Sequence, residues 1–241
     1  MKQVQLFITC LGEQFYTSTL QHMTGILEGL GVKPIFPQAQ TCCGQPLFNN
    51  GFSKGARTVA IKWMNTFARN DAPIVCPSAS CAGMVRHHYV ELFPPGSPEY
   101  ALACELAPRV FEFTEYLVRE LGVVDVGARF PHRVTYHPSC HHARELGLTD
   151  EAKMLIGAVR GLEVLPLPEE EACCGFGGAF SVTFPEVSRA MMDAKIRNII
   201  ASGAEAVVTC EPGCLMNVAG GLRAAGSSVR AMHIIDLLAS Q

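Results

Sequence analysis

With 241 residues, 49% of them apolar, and 19 Lys+Arg against 22 Asp+Glu for a net charge of −3, the chain excludes two classes at once. It is too apolar for a disordered polypeptide, and it has no block of basic residues to track a phosphate backbone, so nucleic acid is not an expected partner. At this length either one large domain or two of about 100 to 130 residues would bury a real core.

In chain order, Met1 to Ile8 lacks a basic leader followed by a long apolar run, so no export is expected. Val4 to Thr9 reads as a buried strand ending at Cys10, and Leu20, Met23, Leu27 and Leu30 recur at helical spacing behind it. Val32 to Phe36 reads as a second strand. The longest uncharged stretch, Pro34 to Ser53, is broken by Pro, Gln, Asn and Gly and would not satisfy its backbone in lipid. Ala60, Trp63, Met64 and Phe67 then mark one helical face, Pro73 to Cys76 a third strand, and Met84, Val85, His88 and Leu92 a further helix. Phe111 to Leu121 predicts a closing apolar helix, and the Gly-containing stretch Gly122 to Pro131 a boundary, giving domains 1–125 and 126–241.

The second half repeats this order. Arg133 to Tyr136, Leu162 to Leu165 and Glu205 to Thr209 read as strands, and Met192, Ile196, Ile199 and Ile200 as one helical face. Thr183 followed by Glu186 spells a capping box for that helix, and His233 to Ala239 predicts the closing helix. Alternating strands and helices imply mainly parallel sheets with helices on both faces, an α/β fold whose ligands gather beyond the carboxyl ends of the strands.

The cysteines expose the duplication. Cys10, 31 residues, Cys42-Cys43, 37 residues and Cys81 are answered by Cys140, 32 residues, Cys173-Cys174, 39 residues and Cys214, with Gly44 and Gly175 directly after the pairs. One more precedes each last cysteine, Cys76 and Cys210, and Cys104 is left over as an expected small buried hydrophobe. Eleven cysteines without an export signal favour metal or redox chemistry over disulfides, and the adjacent pairs fit a disulfide framework badly.

Thiolate is the soft ligand that iron–sulfur clusters need, and the glycine after each pair permits a turn that aims both sulfurs at one polynuclear centre. A single zinc would more naturally use C-x2-C knuckles. Cys10, Cys42, Cys43, Cys81, Cys140, Cys173, Cys174 and Cys214 are therefore the candidate ligands, while Cys76 and Cys210 stay open, because a buried cysteine at a strand end would look the same. The cluster His137-Pro138-Ser139-Cys140-His141-His142 admits two readings: solvent-facing histidines in a first helical turn, or a donor to cluster sulfur or proton carrier. Gly175-Phe176-Gly177-Gly178 lacks the context of a phosphate loop and reads as backbone wrapping a cluster. No residue is assigned a catalytic role.

Thr41-Cys42-Cys43-Gly44-Gln45-Pro46, Tyr136-His137-Pro138-Ser139-Cys140, Cys173-Cys174-Gly175-Phe176-Gly177-Gly178 and Cys214-Leu215-Met216 together resemble the duplicated cysteine-rich CCG domain. Size and order resemble the lactate utilization protein A family over essentially the whole chain. The iron–sulfur subunit of glycolate oxidase and the CCG-bearing subunit of heterodisulfide reductase are more distant. The resemblance implies two Rossmann-like parallel-sheet domains related by a pseudo-twofold axis, in a cytoplasmic subunit of a multi-component system that oxidises L-lactate or another 2-hydroxy acid. It implies up to two iron–sulfur clusters, of the four-iron and even noncubane type, held by five cysteines each. The last cysteine pair departs from the C-x2-C of heterodisulfide reductase, which leaves zinc in one copy open. The chain lacks a ferredoxin-type cysteine run, so a ferredoxin-like iron–sulfur subunit and other subunits of a lactate-oxidation complex are the implied partners, with peripheral membrane docking an allowed extra. A heterodisulfide-reductase-like thiol–disulfide role and a zinc-stabilised assembly module are the alternatives.

Overall fold

A computed structural model describes residues 2–241, and the chain divides after Tyr116 into two compact units, the second being Leu117–Gln241. The first unit runs β1 (Gln3–Leu6), α1 (Cys10–Phe15), α2 (Thr17–Gly29), β2 (Lys33–Ile35), α3 (Gln45–Asn49), α4 (Ser53–Phe67), β3 (Ile74–Cys76), α5 (Ala79–Gly83), α6 (Pro98–Leu106), β4 (Val110–Glu112) and α7 (Phe113–Glu115). The second runs β5 (Arg133–Tyr136), α8 (Glu151–Gly157), β6 (Glu163–Leu165), α9 (Phe180–Thr183), α10 (Pro185–Ala201), β7 (Ala206–Thr209), α11 (Pro212–Ala224), β8 (Arg230–His233) and α12 (Ile234–Leu238).

Each unit holds a four-stranded parallel sheet, in the orders β2-β1-β3-β4 and β6-β5-β7-β8. The strand order reverses between β1 and β3 in the first and between β5 and β7 in the second. Doubly wound sheets open a crevice at such a switch point, beyond the strand ends. Cys10 follows β1 and Cys76 ends β3; Cys140 follows β5 and Cys210 follows β7. The fold therefore delivers both sets of cysteines to the crevice.

The inner strands are short and apolar because both faces are covered, Ile74, Val75 and Cys76 all being buried. In the first unit the core is aromatic. Phe7 meets Trp63 edge-on at 5.2 Å, Trp63 stacks on Phe67 at 4.3 Å, and Tyr89 closes on Trp63 at 5.6 Å. In the second unit Leu167, Ile196, Ile199, Val207, Val218 and Leu222 pack with Cys174 and Cys214 in one cluster. Gly221 lets α11 close on α10, since a Cβ there would stand 2.7 Å from Ile196 Cγ1.

The structure corrects several expectations. The apolar stretches closing each half begin with the fourth strands β4 and β8 and turn into short helices only afterwards, capped by Glu112 and His233 side chains. The first strand stops at Leu6 rather than Thr9, because Thr9 turns to cap α1 through its hydroxyl. Thr183 ends α9 and does not cap α10, which starts at Pro185, whose fixed φ and missing N–H suit a first helical position. Ile200 is 44% exposed rather than inward, and Cys104 is exposed because α6 turns Ala103 and Leu106 to the core instead.

Candidate metal centre

The first site is built from sulfurs on four segments. Cys10 opens α1, Cys42 and Cys43 end the loop after β2, Cys76 closes β3, and Cys81 lies in α5, where Ser78 Oγ accepts its backbone N–H at 3.4 Å. Cys10 and Cys42 sulfurs are 3.8 Å apart, and Cys43 donates to Cys81 at 3.5 Å. Cys42 and Cys43 also share a hydrogen bond, and Cys76, whose thiol donates to the Ser78 carbonyl at 3.3 Å, stands close enough to Cys81 to lower its pKa, so the five thiols cluster together. Gly44 at φ 82° makes the turn that allows this, and its N–H donates to Cys42 Sγ at 3.4 Å.

The second site repeats this plan for Cys140, Cys173, Cys174 and Cys214. Cys174 donates to Cys214 at 3.1 Å, Cys173 bonds both Cys140 and Cys174, and Gly175 at φ 86° donates its N–H to Cys173 Sγ at 3.3 Å. Cys210 lies buried with its sulfur 3.5 Å from the Tyr136 hydroxyl. Exposure is graded alike in both units: Cys10 is exposed and Cys42, Cys140 and Cys173 are half-buried, whereas Cys43, Cys76, Cys81, Cys174, Cys210 and Cys214 are buried.

Proton sharing follows from this crowding. Hydrogen bonds from Cys10 and Cys43 hold the Cys42 thiol down at about 3, and hydrogen bonds from Cys43 and Cys76 lower Cys81 well below the ordinary thiol value. Cys10 and Cys43 are raised, above all by their bonds to Cys42. Likewise Cys173 is lowered by bonds from Cys140 and Cys174, which are themselves raised, chiefly by bonding Cys173. Two thiolates about 3.5 Å apart repel by roughly 5 kcal/mol at an effective dielectric near 20. The sulfurs can all ionise together only around a cation, and their number and softness suit thiophilic metal.

Three residues around the sulfurs, Tyr89, Asn217 and Lys195, escaped the sequence reading, and a fourth, His137, was singled out there only as one of a histidine cluster. Tyr89 Oη donates to the Cys43 carbonyl at 3.0 Å, and Asn217 Nδ2 to the Cys174 carbonyl at 2.8 Å, pinning the equivalent peptide in each unit. Lys195 is buried, its ammonium donating to the Glu169 and Glu170 carbonyls at 2.8 and 3.1 Å, and burial lowers its pKa. His137 is 1% exposed; burial first, and the Lys195 charge second, hold its imidazole at about 4, against smaller opposing effects of Cys173 and the Glu170 backbone. A signal existed for Lys195, a charge at an inward position among Met192, Ile196 and Ile199. The solvent-facing reading of the neighbouring histidines holds for neither fully: His142 is completely buried, with its backbone N–H on Ser139 Oγ, and His141 is partly exposed beside Glu145.

The cysteine-rich domain pattern, CCG, matches residues 4–86 and again 134–219. Over 237 residues the chain is 42% identical to lactate utilization protein A of Oceanobacillus iheyensis, covering 98% of this chain and 96% of that protein. It is 44% identical to lactate utilization protein A of Geobacillus kaustophilus, with 98% of each covered. The chain belongs to the lactate utilization protein A family. Within that family's fold, the repeated α/β units each carry one CCG motif at a sheet switch point. The solved structure of a hypothetical protein from Helicobacter pylori shares the fold at a TM-score of 0.65 and 13% identity, over 98% of this chain and 48% of that one. Among the described residues no helix is long and apolar enough to cross a membrane.

Proposed function

We propose that this chain is an iron–sulfur subunit that relays electrons during the utilisation of L-lactate or a related 2-hydroxy acid, each unit binding one cluster. The observation that carries this reading is the duplicated thiol group, with sulfur neighbours at 3.5 and 3.8 Å in the first unit and 3.1 Å in the second. The ligands are Cys10, Cys42, Cys43, Cys76 and Cys81 in one unit and Cys140, Cys173, Cys174, Cys210 and Cys214 in the other, a donor set suited to four-iron clusters. The name shared by the relatives supports lactate as the metabolic context.

A bound cluster supplies one-electron chemistry; the protein sets its environment. Buried Cys43, Cys81, Cys174 and Cys214 keep water from the deep side, while the Gly44 and Gly175 amides donate to sulfur and favour the reduced state. Exposed Cys10 and half-buried Cys140, which follow the first strand of each unit, mark the side on which electrons enter and leave, and a ferredoxin-like iron–sulfur protein is the proposed partner there.

Anaerobic purification followed by iron and sulfide analysis with EPR tests the proposal. Brown protein with several irons per chain is expected, with the iron halved by Cys43→Ser plus Cys81→Ser, and deletion of the protein is expected to impair growth on lactate. A colourless, iron-free product after anaerobic reconstitution refutes it. The exposure of Cys10 beside a thiolate-favouring Cys42 supports a second reading, reduction of a disulfide substrate. Turnover of mixed disulfides by the reduced protein would favour that reading over a pure relay.

A further inference from the structure

The two units are alike in their thiols and unlike in what stands behind them. Strand register fixes the correspondence: Phe7 N–H donates to the Val75 carbonyl at 2.9 Å, and His137 N–H donates to the Val208 carbonyl at 2.8 Å, each three residues before the first cysteine of its set. His137 thus occupies the position of Phe7. Helix register supplies a second match. A Cβ on Gly44 would face the Ala56 carbonyl and one on Gly175 the Ser188 carbonyl, and seven residues beyond those lie Trp63 and Lys195. Where the first unit packs Phe7 against Trp63, the second buries an imidazole and an ammonium.

An imidazole placed in a core needs a partner. Neither ring nitrogen of His137 meets the geometry of a hydrogen bond within the protein, both are out of reach of solvent, and the Glu170 backbone is the one polar main-chain group near enough to act on the ring, which leaves at least one nitrogen without a partner. Leaving such groups unpaired costs about 1–3 kcal/mol each, and Phe at this position would avoid the cost, as the first unit demonstrates. What the ring does face is sulfur: one of its nitrogens, Cys174 Sγ and Cys214 Sγ all lie within 4.8 Å of one another. Donor atoms on a tetrahedral metal stand roughly 3.7 Å apart, so a modest contraction brings the three onto one ion. Burial and the neighbouring Lys195 charge keep the ring neutral, the form that ligates.

We infer that His137 is a metal ligand of the second unit, which makes that centre a mixed imidazole–thiolate site while the first is all-thiolate. The inference rests on the metal-binding reading of the cysteines given above. It assigns a role to a residue that the first repeat lacks, and it makes the two centres chemically distinct. Where His137 takes the coordination position of one of the five thiolates, the exchange of thiolate for neutral imidazole raises the potential of an iron–sulfur centre, and the second unit is then the better electron acceptor of the two.

The test uses the full chain carrying Cys43→Ser and Cys81→Ser, so that metal is confined to the second unit, loaded anaerobically either with ferrous iron and sulfide or with zinc alone. X-ray absorption at the metal edge is expected to show a nitrogen scatterer at about 2.0–2.1 Å beside sulfur, and His137→Phe is expected to remove it. Phe is the residue the first unit places at this register, and circular dichroism of the metal-free variant checks that it folds. Should the variant fail to fold, the spectrum of the chain retaining His137 still decides. Bound metal with sulfur scatterers only would overturn the inference and leave the iron–sulfur reading intact. Absence of bound metal from both units of the unsubstituted chain would overturn that reading and this one together.

Discussion

Adding one methyl group to each CCG glycine separates conformational strain from steric exclusion. Gly44 and Gly175 share a left-handed backbone, at φ 82° and 86°, so alanine at either carries a cost of roughly 1–2 kcal/mol for the conformation alone. Their surroundings differ. At Gly44 the new Cβ meets Val59 Cγ1 at 3.4 Å and the Ala56 carbonyl at 3.7 Å, ordinary contacts; at Gly175 it meets the Ser188 carbonyl at 2.5 Å, Met191 Cβ at 3.0 Å and Met192 N at 3.1 Å. These are mostly backbone atoms of α10, and Ser188 Oγ clamps the helix to the Gly175 carbonyl at 2.7 Å. The helix must recoil, which adds roughly 1–3 kcal/mol for overpacking. Gly44→Ala is therefore expected to lose about 1–2 kcal/mol and Gly175→Ala about 2–5 kcal/mol. Urea unfolding of metal-free, reduced protein followed by far-ultraviolet circular dichroism measures both, each transition being assigned to its unit if they separate. Equal losses, or a milder Gly175→Ala, would refute the claim that α10 presses on the second CCG turn.

Other expectations follow from the same structure. In metal-free protein, His137 protonates near 4 when folded and near 6.5 when unfolded, so the unfolded chain binds more protons between those values. Stability from this residue is intact above pH 6.5 and about 3 kcal/mol of it is gone at pH 4; denaturation of His137→Phe across that range should show a correspondingly shallower decline, and parallel curves would contradict the assignment. Lys195→Met should raise the pH at which His137 protonates, read from its imidazole resonances in the metal-free protein, and an unmoved resonance would show that the ammonium charge does not reach the ring. Tyr89→Phe and Asn217→Leu each strand a cysteine carbonyl, with an expected loss of about 1–3 kcal/mol in urea unfolding; a change below a few tenths would mean that water replaces the side chain.

The duplication was legible because metal-type cysteine spacing and buried parallel strands leave coarse marks. Arg133–Tyr136 matches its expected bounds, and Ile74–Cys76 lies within the expected Pro73 to Cys76. The fourth strands were hidden, since Val110–Glu112 and Arg230–His233 are three and four residues long and run straight into apolar helical turns. Periodicity also erred at helix ends, where Pro185 outweighed the Thr183–Glu186 spelling. In the site, the spacing foretold that distant thiols would meet. It gave no hint of Tyr89 or Asn217, which act through peptide carbonyls of the pair and depend on tertiary placement. Lys195 was hidden for another reason: it breaks the repeat, and a search for likeness between the halves passes over the positions where they differ; His137 stood out only as one of a histidine cluster, and its burial could not be read from the sequence.

Each group of thiols is drawn from its own compact unit, the first from residues 10 to 81, in a fold complete by its last strand at Glu112. Domains made on the ribosome fold in order of emergence. The amino-terminal thiol group can thus assemble while the second half is still being translated, so that, on the proposed cluster-binding reading, the two groups become available to metal one after the other.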